Sequence, residues 1–237
     1  MACIDENGNL LEERSENTLG HLQSLVPMAE SLLKKACLAV KDISCVAASV
    51  GPGSFTGIRI GVSTARAFAQ AMGIPCIPVP TLQSFLHNAE GYNGLACPVL
   101  DARRSQVYAG AYIWGGGRER VSEVVEGGAY AADEYMLLLK REIACRGISD
   151  IMFFGDWTDA HPGAICDWQN SSLPGSVQVE IADESLRFQK ASSVAKLALK
   201  MFRDGTQTGY EELLPMYMRK AEAERKLEAG TLFSKTL

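Results

Sequence analysis

An α/β architecture follows from three stretches of this 237-residue chain. Cys45 to Val50 is an apolar run of strand length with no polar alternation, which suits a strand buried on both faces of a parallel sheet. Gly51-Pro52-Gly53 breaks that run, and the sequence to Met72 has helical character, so strand, tight turn and helix are continuous. Ala96 to Leu100 and Val107 to Trp114, joined by the short charged connection Asp101 to Gln106, read as a β-hairpin.

From the start, Ala2-Cys3-Ile4 reads as the end of a strand. Asp5 to Asn9 is a turn with Asn-Gly at its centre, and Leu10-Leu11 opens a second strand. His21 to Ala36 sets Leu22, Leu25, Ala29, Leu32 and Ala36 on one helical stripe, and Pro27 is expected to kink or restart that helix. With no nearby Cys, Asp or His, His21 reads as a capping or interface residue rather than a ligand.

Ser54 or Thr56 caps the next helix, Thr56 to Met72. On it Gly57, Gly61, Ala65 and Ala69 recur every fourth residue, a stripe almost without side chains. Interior glycines cost about 1 kcal/mol each relative to alanine. Close approach of another helix, from this chain or from a partner, is the expected compensation. Gly51, Gly53 and Gly57 are spaced one residue too long for a dinucleotide fingerprint and lack the Lys-Ser/Thr of a P-loop, which leaves only the helix N-terminus as an anion site.

Gly73 ends this helix, and Ile74 to Val79 is a short strand bounded by prolines. Thr81 caps a helix running through Leu82, Phe85, Leu86 and Ala89. In the charged connection Asp101 and Arg103 read as an ion pair within the turn, with a catalytic role as the alternative. Gly115 to Gly128 is expected to be a surface loop or hairpin tip, Ala132 to Cys145 a helix, and Asp150 to Phe154 a strand ending at Gly155-Asp156. Ser192 to Phe202 is an amphipathic helix capped by serine, and the tail Ala221 to Gly230 alternates acids and bases as a solvated face does.

Net charge is −5 and the basic pairs are scattered among acids, so any RNA contact is expected to be shared with a more basic partner. Seven cysteines without a CxxC pair point to reduced, buried thiols in a cytosolic protein. No window reaches the length of a membrane span, and nothing resembles a targeting segment. Paired carboxylates, a metal cluster and a nucleophile elbow are all missing from the linear pattern, so no catalytic, cofactor-binding or metal-binding residue is assigned.

GPGSFTGIRIG (51–61), PVLDARRSQVYAGAY (98–112) and PMYMR (215–219) together resemble the signatures of the TsaB family, part of the bacterial machinery that makes threonylcarbamoyladenosine on tRNA. The resemblance implies the fold of the actin, sugar-kinase and chaperone ATPase (ASKHA) superfamily, with subdomains at 1–97 and 98–237 and the helix near 192–202 packing back on the first. It implies a non-catalytic, cytoplasmic scaffold that binds the paralogous transferase TsaD as a heterodimer. An ATPase, TsaE, joins the larger assembly, tRNA is met only through the complex, and a homodimer is compatible. Contact runs through the first two helices, which makes His21, Leu25, Leu32, Gly57, Arg59, Gly61, Ala65 and Ala69 the candidate interface.

Departures from the family pattern matter too. The usual first strand and DTS motif are absent, which favours a late-started reading frame over loss of a central strand. The transferase's two metal-binding histidines align with Thr81 and Phe85, which disfavours the alternative of a glycoprotease-like metallopeptidase; ATP binding in its own right is the other alternative. Trp157 replaces the third residue of the family's GDGA turn, so a special backbone role there is not expected, and Arg103 and Arg104 stand where nucleotide-binding relatives carry small residues.

Overall fold

The computed structural model describes residues 1–12, 21–115 and 121–218. It opens with a hairpin in which β1 (Ala2–Ile4) pairs antiparallel with β2 (Leu10–Glu12), Cys3 opposite Leu11. The Asp5 carboxylate closes the turn by accepting from the Asn7 and Asn9 amides. Helix α1 (His21–Lys35) follows and runs through Pro27 without a break.

Strand β3 (Val46–Gly51), helix α2 (Phe55–Met72) and β4 (Cys76–Pro80) form the expected parallel βαβ unit, Val46 opposite Cys76. Ser54 is the cap: its Oγ accepts from the Gly57 amide at 3.3 Å. Gly73 closes α2 with φ +66, a conformation open to glycine at no steric cost. Only four residues of the helix expected at Thr81 are α-helical, α3 (Thr81–Ser84); the chain then tightens into a 3-10 turn, Phe85–Asn88. Thr81 is the first helical residue rather than the cap, because its hydroxyl is engaged with Ser49 Oγ at 2.7 Å.

A five-stranded sheet makes up most of the remainder, in the order β7-β6-β5-β8-β9. β5 (Leu95–Asp101), β6 (Gln106–Trp114) and β7 (Val121–Ala131) are an antiparallel meander, while β8 (Asp150–Phe154) and β9 (Gln178–Ile181) add in parallel on the other side of β5. Helices α4 (Ala132–Arg146), α5 (Trp157–Ala160) and α6 (Ala164–Ser172) pack on one face over Leu95, Cys97 and Val99. The opposite face carries Ala96, Tyr112 and Phe154 against Leu82, Phe85 and Leu86. A short α7 (Glu184–Arg187) leads into α8 (Ala191–Arg203), which lies against β1, β2, β3 and β4 and so packs back on the first strands.

The surface loop or hairpin tip expected at Gly115 to Gly128 is corrected from Val121 onward: β6 and β7 form an antiparallel hairpin, and β7 is an eleven-residue strand. Its glycines misled the pattern because they serve side-chain packing. A Cβ on Gly127 would stand 2.7 Å from Tyr112 Oη, and one on Gly128 3.1 Å from the Tyr130 ring. The serine cap expected for α8 is also absent. Lys190 holds the cap position, and Ser192 and Ser193 lie buried inside the helix, Ser193 donating to Asn88 Oδ1 at 2.5 Å. Of the seven thiols, Cys76 and Cys97 are buried as expected but Cys37, Cys145 and Cys166 are exposed. The alternating tail at 221–230 lies outside the described residues.

Candidate functional site

The glycine-alanine row on α2 divides into two halves. Each four-residue step overshoots a full turn by about 40°, so a row of four winds steadily round the helix. Gly57 is exposed and Gly61 half-exposed, whereas Ala65 and Ala69 are 5% and 0% exposed. Those two alanines pack in this chain's own core with Ala48, Val50, Cys76 and Leu213. Leu32 on α1 is likewise buried, at 3%. The expectation that Ala65, Ala69 and Leu32 present themselves to a partner is therefore corrected: the winding of the row turns the two alanines onto the cluster that includes Leu213, and Leu32 is buried within this chain.

What stays open is the first half of α2. A Cβ on Gly61 would meet nothing within 4 Å, and one on Gly57 would touch only the Ser54 side chain at 3.4 Å. Arg59 is exposed on the same turns, Leu25 on the neighbouring α1 is half-buried, and Val26 beside it is 50% exposed. α1 and α2 touch each other. His21 is the first residue of α1; its side chain lies outside the described residues.

Arg59 is held by two aromatic residues that sequence reading missed. Its guanidinium stacks over the Phe55 ring at 3.9 Å, and its Nε–H donates to Tyr217 Oη at 2.8 Å. The Phe55 and Tyr217 rings stand 5.3 Å apart, and both residues are nearly half exposed. Tyr217 reaches α2 because the chain returns along β3: the Met216 amide donates to Val50 O at 2.7 Å. Gly51, at φ +130, makes room for that return, since any Cβ there would collide with the Met216 carbonyl oxygen. The position of PMYMR at the end of a long chain gives no linear hint of this contact, 158 residues away from Arg59.

The β5–β6 turn forms the expected pair, Arg103 Nη1 to Asp101 Oδ2 at 3.3 Å, with the Arg103 amide donating to Asp101 Oδ1 at 2.7 Å. Arg103, Arg104 and Ser105 have φ of +64, +56 and +59 in succession. Left-handed backbone costs a non-glycine residue roughly 1–2 kcal/mol, so this turn is held against strain. It is fixed on its inner side by Asp156, whose Oδ1 accepts from the Asp101 amide at 2.9 Å. Gly155 before it has φ +98, and a Cβ would strike Val99 O, so the turn has a strict backbone role even with Trp157 in place of glycine.

Between β3, α3 and the approach to α8 lies a hydroxyl network. Gln189 Nε2 donates to Ser49 Oγ at 3.0 Å and to Ser84 Oγ at 2.9 Å, and Asn88 Nδ2 donates to the carbonyls of Leu186 and Phe188. Thr81 and Phe85, the positions aligned with the transferase's metal-binding histidines, supply a bonded hydroxyl and a buried ring, so this pair offers no imidazole to a metal. Nearby His87 is 10% exposed and stands edge-on to Trp114 at 5.1 Å. Burial pushes its pKa down to about 4, against the opposing pull of Glu90, and Lys196 and Lys200 lower it further.

Residues 15–227 match the protein family described as tRNA N6-adenosine threonylcarbamoyltransferase, TsaD. The chain is 30% identical over 226 residues to the tRNA threonylcarbamoyladenosine biosynthesis protein TsaB of Bacillus subtilis (strain 168), covering 95% of this chain and 91% of that one. It is 29% identical over 210 residues to the protein of the same name from Escherichia coli (strain K12), covering 87% and 84%. Among solved structures, YeaZ from Pseudomonas aeruginosa superposes with a TM-score of 0.69 at 22% identity, over 91% of this chain and 92% of that one, and so shares the fold. No described helix is long and apolar enough to cross a membrane.

Proposed function

We propose a non-catalytic scaffold role for this chain, which belongs to the tRNA N6-adenosine threonylcarbamoyltransferase (TsaD) family and within it to the TsaB members. It is a tRNA threonylcarbamoyladenosine biosynthesis protein with an ASKHA-like fold. Its part in that modification is to bind and support the paralogous transferase, TsaD, as a heterodimer. A TsaE-type ATPase completes the assembly in the cytoplasm, and tRNA is met only through the complex. Residues 1–97 and 98–237 act as two subdomains, with α8 tying the second to the first.

The observation that carries this reading is the bare, accessible first half of α2. Gly61 stands in open space, so its lack of a side chain answers no packing need among the described residues. In a helix interior that glycine costs about 1 kcal/mol relative to alanine. Close approach of a partner helix supplies the missing reason. His21, Leu25, Gly57, Arg59 and Gly61 form the contact face; Leu32, Ala65 and Ala69 support it from beneath. The same face is suited to self-pairing when the transferase is absent.

Replacing Gly61 with leucine tests the reading. The isolated protein is expected to remain folded, because a Cβ at this position meets nothing within 4 Å and the residue is partly exposed, and to lose capture of the transferase in a pull-down. Undiminished capture by the folded variant refutes the assignment of this face.

A further inference from the structure

We propose that Arg59 is a pre-set cation for a carboxylate on the partner subunit, and that Tyr217 is the positioning residue that holds it ready. The inference rests on the partner-binding reading above and extends it to a specific contact. The guanidinium is engaged through Nε, which donates to the Tyr217 hydroxyl, and through its plane, 3.9 Å from the Phe55 ring centroid and 5.7 Å from that of Tyr217. Its two terminal NH2 groups remain, a fork whose spacing suits a carboxylate.

Among the described residues no carboxylate pairs with Arg59, although the chain carries 28 acidic residues against 23 Lys and Arg. The first turn of α2 contains no acid either. The ordered guanidinium therefore has its aromatic contacts but no anion to pair with among the described residues.

The surroundings decide between a protein acid and a nucleic-acid phosphate. Phe55 and Tyr217, the two rings against the cation, are 47% and 46% exposed. A phosphodiester backbone leaves such a rim wet, whereas an Asp or Glu set in an apolar protein surface covers it while pairing the charge. Arginine and aromatic residues in such settings are common binding anchors.

The experiment measures the dissociation constant of the transferase by titration calorimetry at low and high salt, with wild-type protein and the variants Arg59→Gln, Tyr217→Phe and Gly61→Leu, each first checked for an unchanged thermal midpoint. Arg59→Gln is expected to weaken binding roughly 30-fold or more and to remove most of its salt dependence. Tyr217→Phe keeps the ring and the charge, and is expected to weaken binding about 3- to 10-fold while retaining the salt dependence. Wild-type affinity in Arg59→Gln, with Gly61→Leu unable to bind, overturns this inference and leaves the partner-binding reading standing. Wild-type affinity in Tyr217→Phe overturns the positioning role. Unchanged transferase affinity in Arg59→Gln with weaker tRNA retention by the complex overturns the carboxylate in favour of a phosphate, and no binding by the wild-type chain overturns both the inference and the reading it rests on.

Discussion

His87 makes the stability of this fold depend on pH in a predictable direction. Its ring, carried by the Phe85–Asn88 turn, stands edge-on to Trp114 at the end of β6 and feels the charges of Glu90, Lys196 and Lys200, and its Nε2 is buried without a hydrogen-bond partner among the described residues. Folding lowers its pKa from 6.5 to about 4, so the unfolded chain takes up this proton first. Stability is fully present above the unfolded value, falls as the pH drops through 6.5, and levels off below the folded value. At pH 5 the linkage relation between those two values gives a loss of ~2 kcal/mol relative to neutral pH. His87→Phe keeps an aromatic ring against Trp114 but cannot titrate. Urea unfolding of both proteins at pH 7.5 and pH 5.0 should show the wild type losing ~2 kcal/mol more than the variant across that interval, since carboxylate contributions cancel in the comparison. Equal losses in the two proteins would show that the histidine is not held neutral by the fold.

Gly51→Ala should lower the thermal midpoint by about 5 °C or more, measured by calorimetry, because φ +130 is disfavoured for alanine and its Cβ collides with the Met216 carbonyl. Ser105→Gly should raise the midpoint by about 2–4 °C, as glycine relieves one of three successive left-handed residues. With an aromatic disulfide reagent, Cys37, Cys145 and Cys166 should react in the native protein, while Cys76 and Cys97 should react only after unfolding. A native Cys97 that labels as fast as Cys145 contradicts the packing of helices over the five-stranded sheet.

Local pattern located the βαβ unit and the β5–β6 hairpin because their signals are short-range: apolar runs of strand length, a cap, and a C-terminal glycine. β7 was hidden by glycines whose purpose, admitting Tyr112 and Tyr130, emerges only once strands are side by side. The spacing of Gly57, Gly61, Ala65 and Ala69 was legible, but the angular drift that buries half of the row depends on where β3 and Leu213 lie. Leu32 fell to the same ambiguity, since a helical stripe does not say whether its own chain or another covers it. The contact between Arg59 and Tyr217 had no local signal at all, because it is made by a segment that comes back to α2 after the whole second half of the chain has been laid down.

Hydrogen exchange on the chain with and without the transferase tests the proposed partner-binding face without altering any residue. Amides from Gly57 to Thr64 and from Met216 to Tyr217 are expected to gain protection in the complex, while α4 around Leu137, 68% exposed on the helix that covers the five-stranded sheet, stays unchanged. A complex that forms with α2 exchanging as it does in the free protein would contradict the scaffold mechanism.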